Sequence, residues 1–285
     1  MTFRKINFNI SFKLTLVVLL TGFVFVLVFV GFAYYEANSN LVKEKEQIDQ
    51  NITHDFQAMI EQDSKTLSSN LITFSANEMI KEAFINKNKD LLYELSEPIF
   101  RENRDRYNIT HLYFIDLDST VYLRVHQKDK FGDLVERPTF LKAKDSGELV
   151  TGLDLGQTAF ALRAVMPYKS NGETIGYIEL GQEIDSFVDK LASETNYKFA
   201  VVGCKREMDQ DSWESVMKGE NLNWDDYGRF VLVTKETNKK FHQECLENFP
   251  IDFPSNTSSY YEHEEDGKNH FCSAVPIENV KGETI

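Results

Sequence analysis

The stretch from Leu14 to Ala33 constrains this chain most, because it carries no charge and is almost wholly apolar. A helix of roughly 20 such residues spans a bilayer's hydrocarbon core of about 30 Å. Arg4, Lys5 and Lys13 precede it, and Glu36 and an acidic segment follow. The excess of positive charge on the N-terminal side places residues 1–13 in the cytoplasm, 14–35 in the membrane and the rest outside. A cleaved signal peptide is the rival reading, with Gly31 and Ala33 supplying small residues for cleavage. The apolar run is longer than signal peptides carry, which favours an uncleaved anchor. Finding Met1–Ala33 in the mature, membrane-bound protein distinguishes the two.

Residues 36–106 continue as helix. Leu41, Ile48, Ile52, Phe56, Met59, Ile60, Leu67, Leu71 and Phe74 recur at helical spacing, and neither glycine nor proline falls between Glu36 and Glu97. One face of this helix suits a dimeric coiled coil or packing against the following domain, and both are compatible. Ser75 and Glu78 have capping-box spacing ahead of Met79, Ile80, Phe84 and Ile85. A third piece around Leu91, Leu95 and Ile99 follows.

From Asn108 the period changes to alternation. His111–Asp116 reads as a strand, Asp118-Ser119 as a turn, and Thr120–His126 as the hairpin partner. Strict alternation puts Val121, Leu123 and Val125 on one face and Tyr122, Arg124 and His126 on the other. Beyond a loop with Gly132, Arg137-Pro138 starts a helix that Gly147 stops. Two strands then meet at Ser170-Asn171-Gly172, a hairpin signal, and Asp185 caps a helix with Phe187, Val188 and Leu191. The remainder repeats this plan, with strands at Lys198–Val202 and Phe230–Thr234 around a segment bearing Trp213, Met217 and Trp224. AVMPYKSNGETI (Ala164–Ile175) is echoed by AVPIENVKGETI (Ala274–Ile285), as in a duplicated module. The echo stops where the first copy enters a strand, so the sequence is expected to be a fragment.

A net charge of −14 and a pI near 4.9 exclude a nucleic-acid partner, whose phosphates would be repelled. Cys204, Cys245 and Cys272 lack metal-ligand spacing and permit at most one disulfide, with buried small side chains the leading reading for all three. The chain has no Gly-x-Ser-x-Gly elbow, phosphate loop or dinucleotide fingerprint, so no enzyme, cofactor or metal site is expected in these residues. His263 lies in a charged loop, while His111, His242 and His270 are isolated and receive no role. Glu179, Glu183 and Asp185 read as cap and surface acids, with an amino group as the ligand they would take if they bind one.

Several segments in order resemble one family: Leu123-Arg124-Val125-His126 with Phe131-Gly132-Asp133 and Arg137, then Gly152-Leu153, Phe160-Ala161-Leu162-Arg163 and Ile175-Gly176-Tyr177-Ile178-Glu179-Leu180-Gly181. Lys205, Trp213-Glu214 and Trp224-Asp225 extend the match. Together they are similar to the extracytoplasmic double Cache (double sensory) domain of bacterial chemoreceptors, sensor histidine kinases and related transducers. The resemblance covers residues 36–285. It implies an α+β fold of two PAS-like antiparallel-sheet modules, a membrane-distal one at 107–190 and a membrane-proximal, incomplete one at 191–285. The Arg-x-His strand also resembles the single-module citrate and dicarboxylate sensors. The second module, and Val125 where those sensors usually carry a small hydroxyl residue, depart from that pattern and argue against a tricarboxylate.

For a small carboxylate ligand, an arginine offers a planar fork of donors and a histidine a pH-sensitive one. Arg124 and His126 on one strand face, Arg163 from a neighbouring strand and Tyr122 as an apolar wall with a hydroxyl tip are the candidates, joined by Asp133 and Arg137 from the shared motif. The competing reading is an ordinary polar strand face on which Arg124 pairs with Asp133 or Glu179. The expected protein is a homodimeric sensor in the bacterial inner membrane that binds a small organic anion or amino acid. Its output would be chemotactic, a two-component kinase or a nucleotide cyclase. The alternatives are an anchored or secreted binding or adhesion module without output, and a hydrolase using His126 and Asp133.

Overall fold

A computed structural model describes residues 10–155, 160–195, 197–217, 222–234, 245–246, 259–265 and 268–282. The chain divides into two compact units, residues 1–53 and 54–285. The first unit is helical throughout its described part, which opens α1 (Ile10–Ser75). Its apolar side chains from Leu14 to Phe32 are exposed, and the hydroxyls of Thr15 and Thr21 donate back to carbonyls one turn earlier, hiding polar groups inside the helix. The helix is long and apolar enough to cross a membrane.

The second unit begins with the rest of α1, then α2 (Glu78–Ile85) and α3 (Lys89–Tyr107). The break between α1 and α2 is made differently from the expected capping box. The Asn77 side chain accepts from the amides of Met79 and Ile80, whereas Ser75 ends α1 with its hydroxyl on Ile72 O. A short amide at the break reaches the orphan N–H groups that Ser75 is too early to serve. Asn88 caps α3 in the same way, and Pro98 lies inside that helix.

A five-stranded antiparallel sheet follows, in the order β2-β1-β5-β4-β3. Its strands are β1 (His111–Ile115), β2 (Val121–Arg124), β3 (Val150–Leu155), β4 (Phe160–Ser170) and β5 (Glu173–Glu183). The expected strands and hairpin are present, with Asn171 and Gly172 at φ 49° and 85° giving the left-handed pair that a tight hairpin turn needs. The edge strand β3 is not expected from the sequence, where Thr151-Gly152 interrupts the apolar pattern. Between β2 and β3, α4 (Pro138–Ser146) starts with proline in its first turn and ends at left-handed Gly147, as predicted. After β5, α5 (Asp185–Glu194) has Ile184 rather than Asp185 as its cap residue, and Asp185 sits in the first turn.

One sheet face is covered by α1–α3 and α5. Leu67, Leu71, Phe74, Ile80, Phe84, Leu92 and Phe187 from these helices meet Leu112, Phe114, Leu123, Leu162, Ile178 and Leu180 from the strands in one buried core. The other face is covered by α4, whose Phe140 and Ala143 pack with Tyr113, Ile115, Val121, Val165 and Tyr177.

The remaining chain is built from two strand pairs, β6 (Val202–Cys204) with β7 (Phe230–Leu232) and β8 (Ser259–Glu265) with β9 (Lys268–Ala274). Between β6 and β7 lies α6 (Gln210–Met217), whose Trp213 donates from Nε1 to Leu232 O at 2.8 Å and meets Trp224 edge-on. Cys245 and Cys272 form a disulfide, against the leading expectation of three buried thiols, and Cys204 keeps its thiol. The echo motif behaves differently in its two positions. Ala164–Ile175 forms the β4–β5 turn region, whereas the second copy begins at the last residue of β9 and residues 275–282 form no strand. Its final residues, Glu283–Ile285, lie outside the described residues.

Candidate functional site

The α4-covered face carries almost all of the buried charge, and the strand register explains where each group falls. Across the sheet, one row reads Arg124, Tyr113, Glu179, Val165, Val150. The next row reads His111, Gly181, Arg163, Gly152. Gly181, beside Arg163, leaves its long side chain room. A Cβ at Gly181 would stand 3.2 Å from His111 Cβ and 3.5 Å from Arg163 Nη1. Asp154 lies one step farther along β3, opposite Ala161.

Tyr122 does not share this face with Arg124 and His126. The β1–β2 register slips between Phe114 and Ile115, so that Ile115 faces Val121 while Phe114 faces Leu123. Such a bulge shifts the alternation by one residue. Val121 therefore joins Ile115 and Tyr113 beneath α4, and Tyr122 packs against the helix-side core, 5.6 Å from the Phe84 ring centroid. Lys87 and Lys89 lie over the Tyr122 ring. The loop returning to Val121 at Gly132 and Asp133 supports the bulge through two backbone hydrogen bonds.

Glu179 is fully buried at the centre of the face, against its expected role as a surface or cap acid. Arg137 Nη2 reaches its carboxylate oxygens at 2.7 and 2.6 Å, and Arg163 Nη1 donates to Oε1 at 2.7 Å. Burial alone would raise the Glu179 pKa, but Arg137 and Arg163 outweigh it and hold the carboxyl ionised, below its ordinary value. Arg124 is also buried and pairs with Asp133, as the competing reading of the strand anticipated, while its Nη1 donates to Lys130 O at 2.8 Å. The guanidinium groups of Arg124 and Arg137 each lie 5.2 Å from the Tyr113 ring centroid. Arg124, Arg137 and Arg163 thus converge on one neighbourhood with Glu179 between two of them.

His126 lies just past β2, accepting from Leu112 N–H at 3.2 Å, with its ring centroid 4.6 Å from that of His111 and 4.8 Å from that of Tyr113. Burial pushes its pKa down to about 4, aided by Arg124 and Arg163, so it is neutral near pH 7. His111, given no role by the sequence, is pushed well below its ordinary value by burial and then by the Arg163 charge. Asp154 was also missed. One of its oxygens accepts from both the amide and the hydroxyl of Thr139 at the start of α4, and Oδ1 has no hydrogen-bond partner among the described residues. Burial raises its pKa, with the Thr139 bonds only partly offsetting the rise. Glu179 is legible as an isolated acid inside an expected strand, whereas Asp154 lies in a segment that the sequence does not mark as one. The ties to the start of α4 that make them central depend on long-range pairing.

Chemically, this face can grip a carboxylate with oriented guanidinium donors, as it grips Glu179, and offers one buried carboxylate oxygen to a donor. No group of three or more His, Cys, Asp or Glu among the described residues is arranged to hold a metal ion.

Residues 45–285 match the family described as the double sensory domain of two-component sensor kinases. No curated protein matches the chain. Among solved structures, the Escherichia coli DcuS sensor domain is 20% identical, with 47% of this chain and 97% of that one covered at a TM-score of 0.39. The ligand-binding domain of the Pseudomonas fluorescens chemoreceptor CtaA, solved with L-serine, is 12% identical, with coverages of 80% and 89% and a TM-score of 0.39. The periplasmic domain of Vibrio cholerae LuxQ is 10% identical, with coverages of 80% and 92% and a TM-score of 0.43.

Proposed function

The chain belongs to the double sensory domain family of two-component sensor kinases, and from that premise we propose that it senses a small carboxylate-bearing metabolite on the α4-covered face of the five-stranded sheet. The supporting observation is the buried carboxylate of Glu179 held by Arg137 and Arg163, with Arg124 alongside. A carboxylate there has oriented donors in a dry setting, where charge-assisted hydrogen bonds are strong. A ligand carboxylate would compete with Glu179 for Arg137, which sits at the start of α4 and moves with it. Asp154 on the β3 edge and His126 beside the β2 edge would discriminate among ligands by their other end, and Asp133 sets the orientation of Arg124. Tyr122, which packs into the helix-side core, has no direct part in this proposal.

Displacing Arg137 from Glu179 would shift α4 against the sheet, and the two arrangements would differ in affinity for the ligand, the requirement for a ligand-driven change of state. The module at residues 107–190 would hold the ligand outside the cytoplasmic membrane, anchored by the segment at 14–35, in a homodimer. The output, whether a histidine kinase, a chemotaxis coil or a cyclase, would lie in further sequence, and these residues would bind rather than turn over their ligand.

The test is a thermal-shift screen of the full chain in detergent against acetate, succinate, citrate, L-amino acids and simple amines. At least one carboxylate should raise the melting temperature, and Arg124→Ala and Arg137→Gln should each abolish that rise. A rise that survives in both variants, or one produced by amines alone, would refute the assignment.

A further inference from the structure

The segment after β9 touches the candidate site's cover. Lys142 of α4 donates from Nζ to Val280 O at 3.1 Å. On the neighbouring strand Gly152 has no side chain, and Val280 occupies the space that one would take. A Cβ at Gly152 would collide with Val280 Cγ1, and would lie 3.5 Å from Val280 Cβ and 3.8 Å from Thr139 Oγ1. Gly152 stands directly opposite Arg163 in the register. Ile277, three residues earlier, packs against the helix-side core.

These contacts meet on one short helix. Arg137, its cap residue, clasps Glu179, Thr139 in its first turn holds Asp154, and Lys142 one turn on holds Val280. We infer that residues 277–280 are a strap joining the β8–β9 end of the molecule to α4 and β3, so that α4 cannot lift from the charged face without loosening the strap. Glycine at 152 is then explained by the strap's close approach, since β3 itself makes no demand for it. The strap ties the cover of the charged face to the β8–β9 end of the molecule. It does not depend on which ligand binds, or on whether one does.

The coupling is testable without ligand, by hydrogen–deuterium exchange of the full chain in detergent. Gly152→Ala should raise exchange in 275–282 by about tenfold, an effect of the size expected from roughly 1.4 kcal/mol of lost local stability. Gly152→Ala combined with Val280→Ala should return exchange to that of Val280→Ala alone, because the colliding methyl is gone and the remaining Cβ separation is ordinary contact. Val280→Ala alone, which leaves the sheet untouched, should raise exchange in α4, and Arg137→Gln should raise it in 275–282, since coupling between two sites is reciprocal. Protection in α4 unaffected by Val280→Ala, or in 275–282 unaffected by Arg137→Gln, overturns the strap. Because no ligand is added, a failed ligand screen and a failed strap are separate results.

Discussion

The two faces of the five-stranded sheet are both covered but built on opposite rules. The helix-covered face is packed hydrocarbon, with Leu112, Phe114, Leu162 and Ile178 fully excluded from water. The α4-covered face mixes an apolar patch with Arg124, Arg163, Glu179, Asp154 and His111, all buried. Removing hydrocarbon from water is favourable at about 25 cal/mol per Å², whereas dehydrating an ion costs several kcal/mol that its partner only partly returns. The first face therefore stabilises the module. The second carries the dehydration cost of its ions, which under the proposed reading is the cost of a site prepared for a charged ligand.

The largest expected effect is Glu179→Ala, which strands Arg137 and Arg163 and should lower unfolding free energy by about 3–5 kcal/mol in urea titrations. The comparison is sharpened by replacing the cluster together, as Arg137→Leu, Arg163→Met and Glu179→Leu. If the charges serve binding rather than folding, this variant should be unchanged or more stable by about 1–4 kcal/mol, yet show no ligand-induced thermal shift. Marked destabilisation of the triple variant would break the contrast between the faces.

Acid should act through the charged face. His126 has a folded pKa of about 4 against 6.5 unfolded, so the unfolded state binds protons between those values. Its contribution to stability is complete above pH 6.5 and is lost as pH falls towards about 4. Asp154 has the opposite sign, because its raised pKa favours folding below its unfolded value of 3.8 and that contribution fades as pH rises. The urea midpoint should therefore fall between pH 6.5 and 4, with a shallower slope in His126→Gln. An equal slope in the variant would assign the acid sensitivity to His111 and the carboxylates. The smallest effect lies on the other face, where Asn77→Ala removes the α2 cap and should cost about 1 kcal/mol without altering any pH slope.

Much of the architecture was legible because it rests on local periodicity. The apolar span, the long helix, the switch to alternation at Asn108 and the turn at Asn171-Gly172 each follow from spacing and from residues suited to one backbone conformation. Arg124, Arg137 and Arg163 stand out in the sequence as basic residues within shared motifs. Glu179 was misjudged, since an acid beside Gly181 near a helix start looks like a surface residue until Arg163 and Arg137 are brought to it from other elements. Tyr122 was placed on the wrong face because one bulge reverses the alternation and leaves no mark in the sequence.

By itself, then, the sequence determined the helices and the central strands of the first module, the membrane-spanning candidate and the types of charge available, but neither β3 nor β8. Only the tertiary structure decided which charges neutralise one another, since ion pairing depends on distances across strands that are remote along the chain. It alone decided the role of Gly152 as well. Whether a missing side chain matters depends on what arrives to fill its place, and Val280 comes from the far end of the sequence.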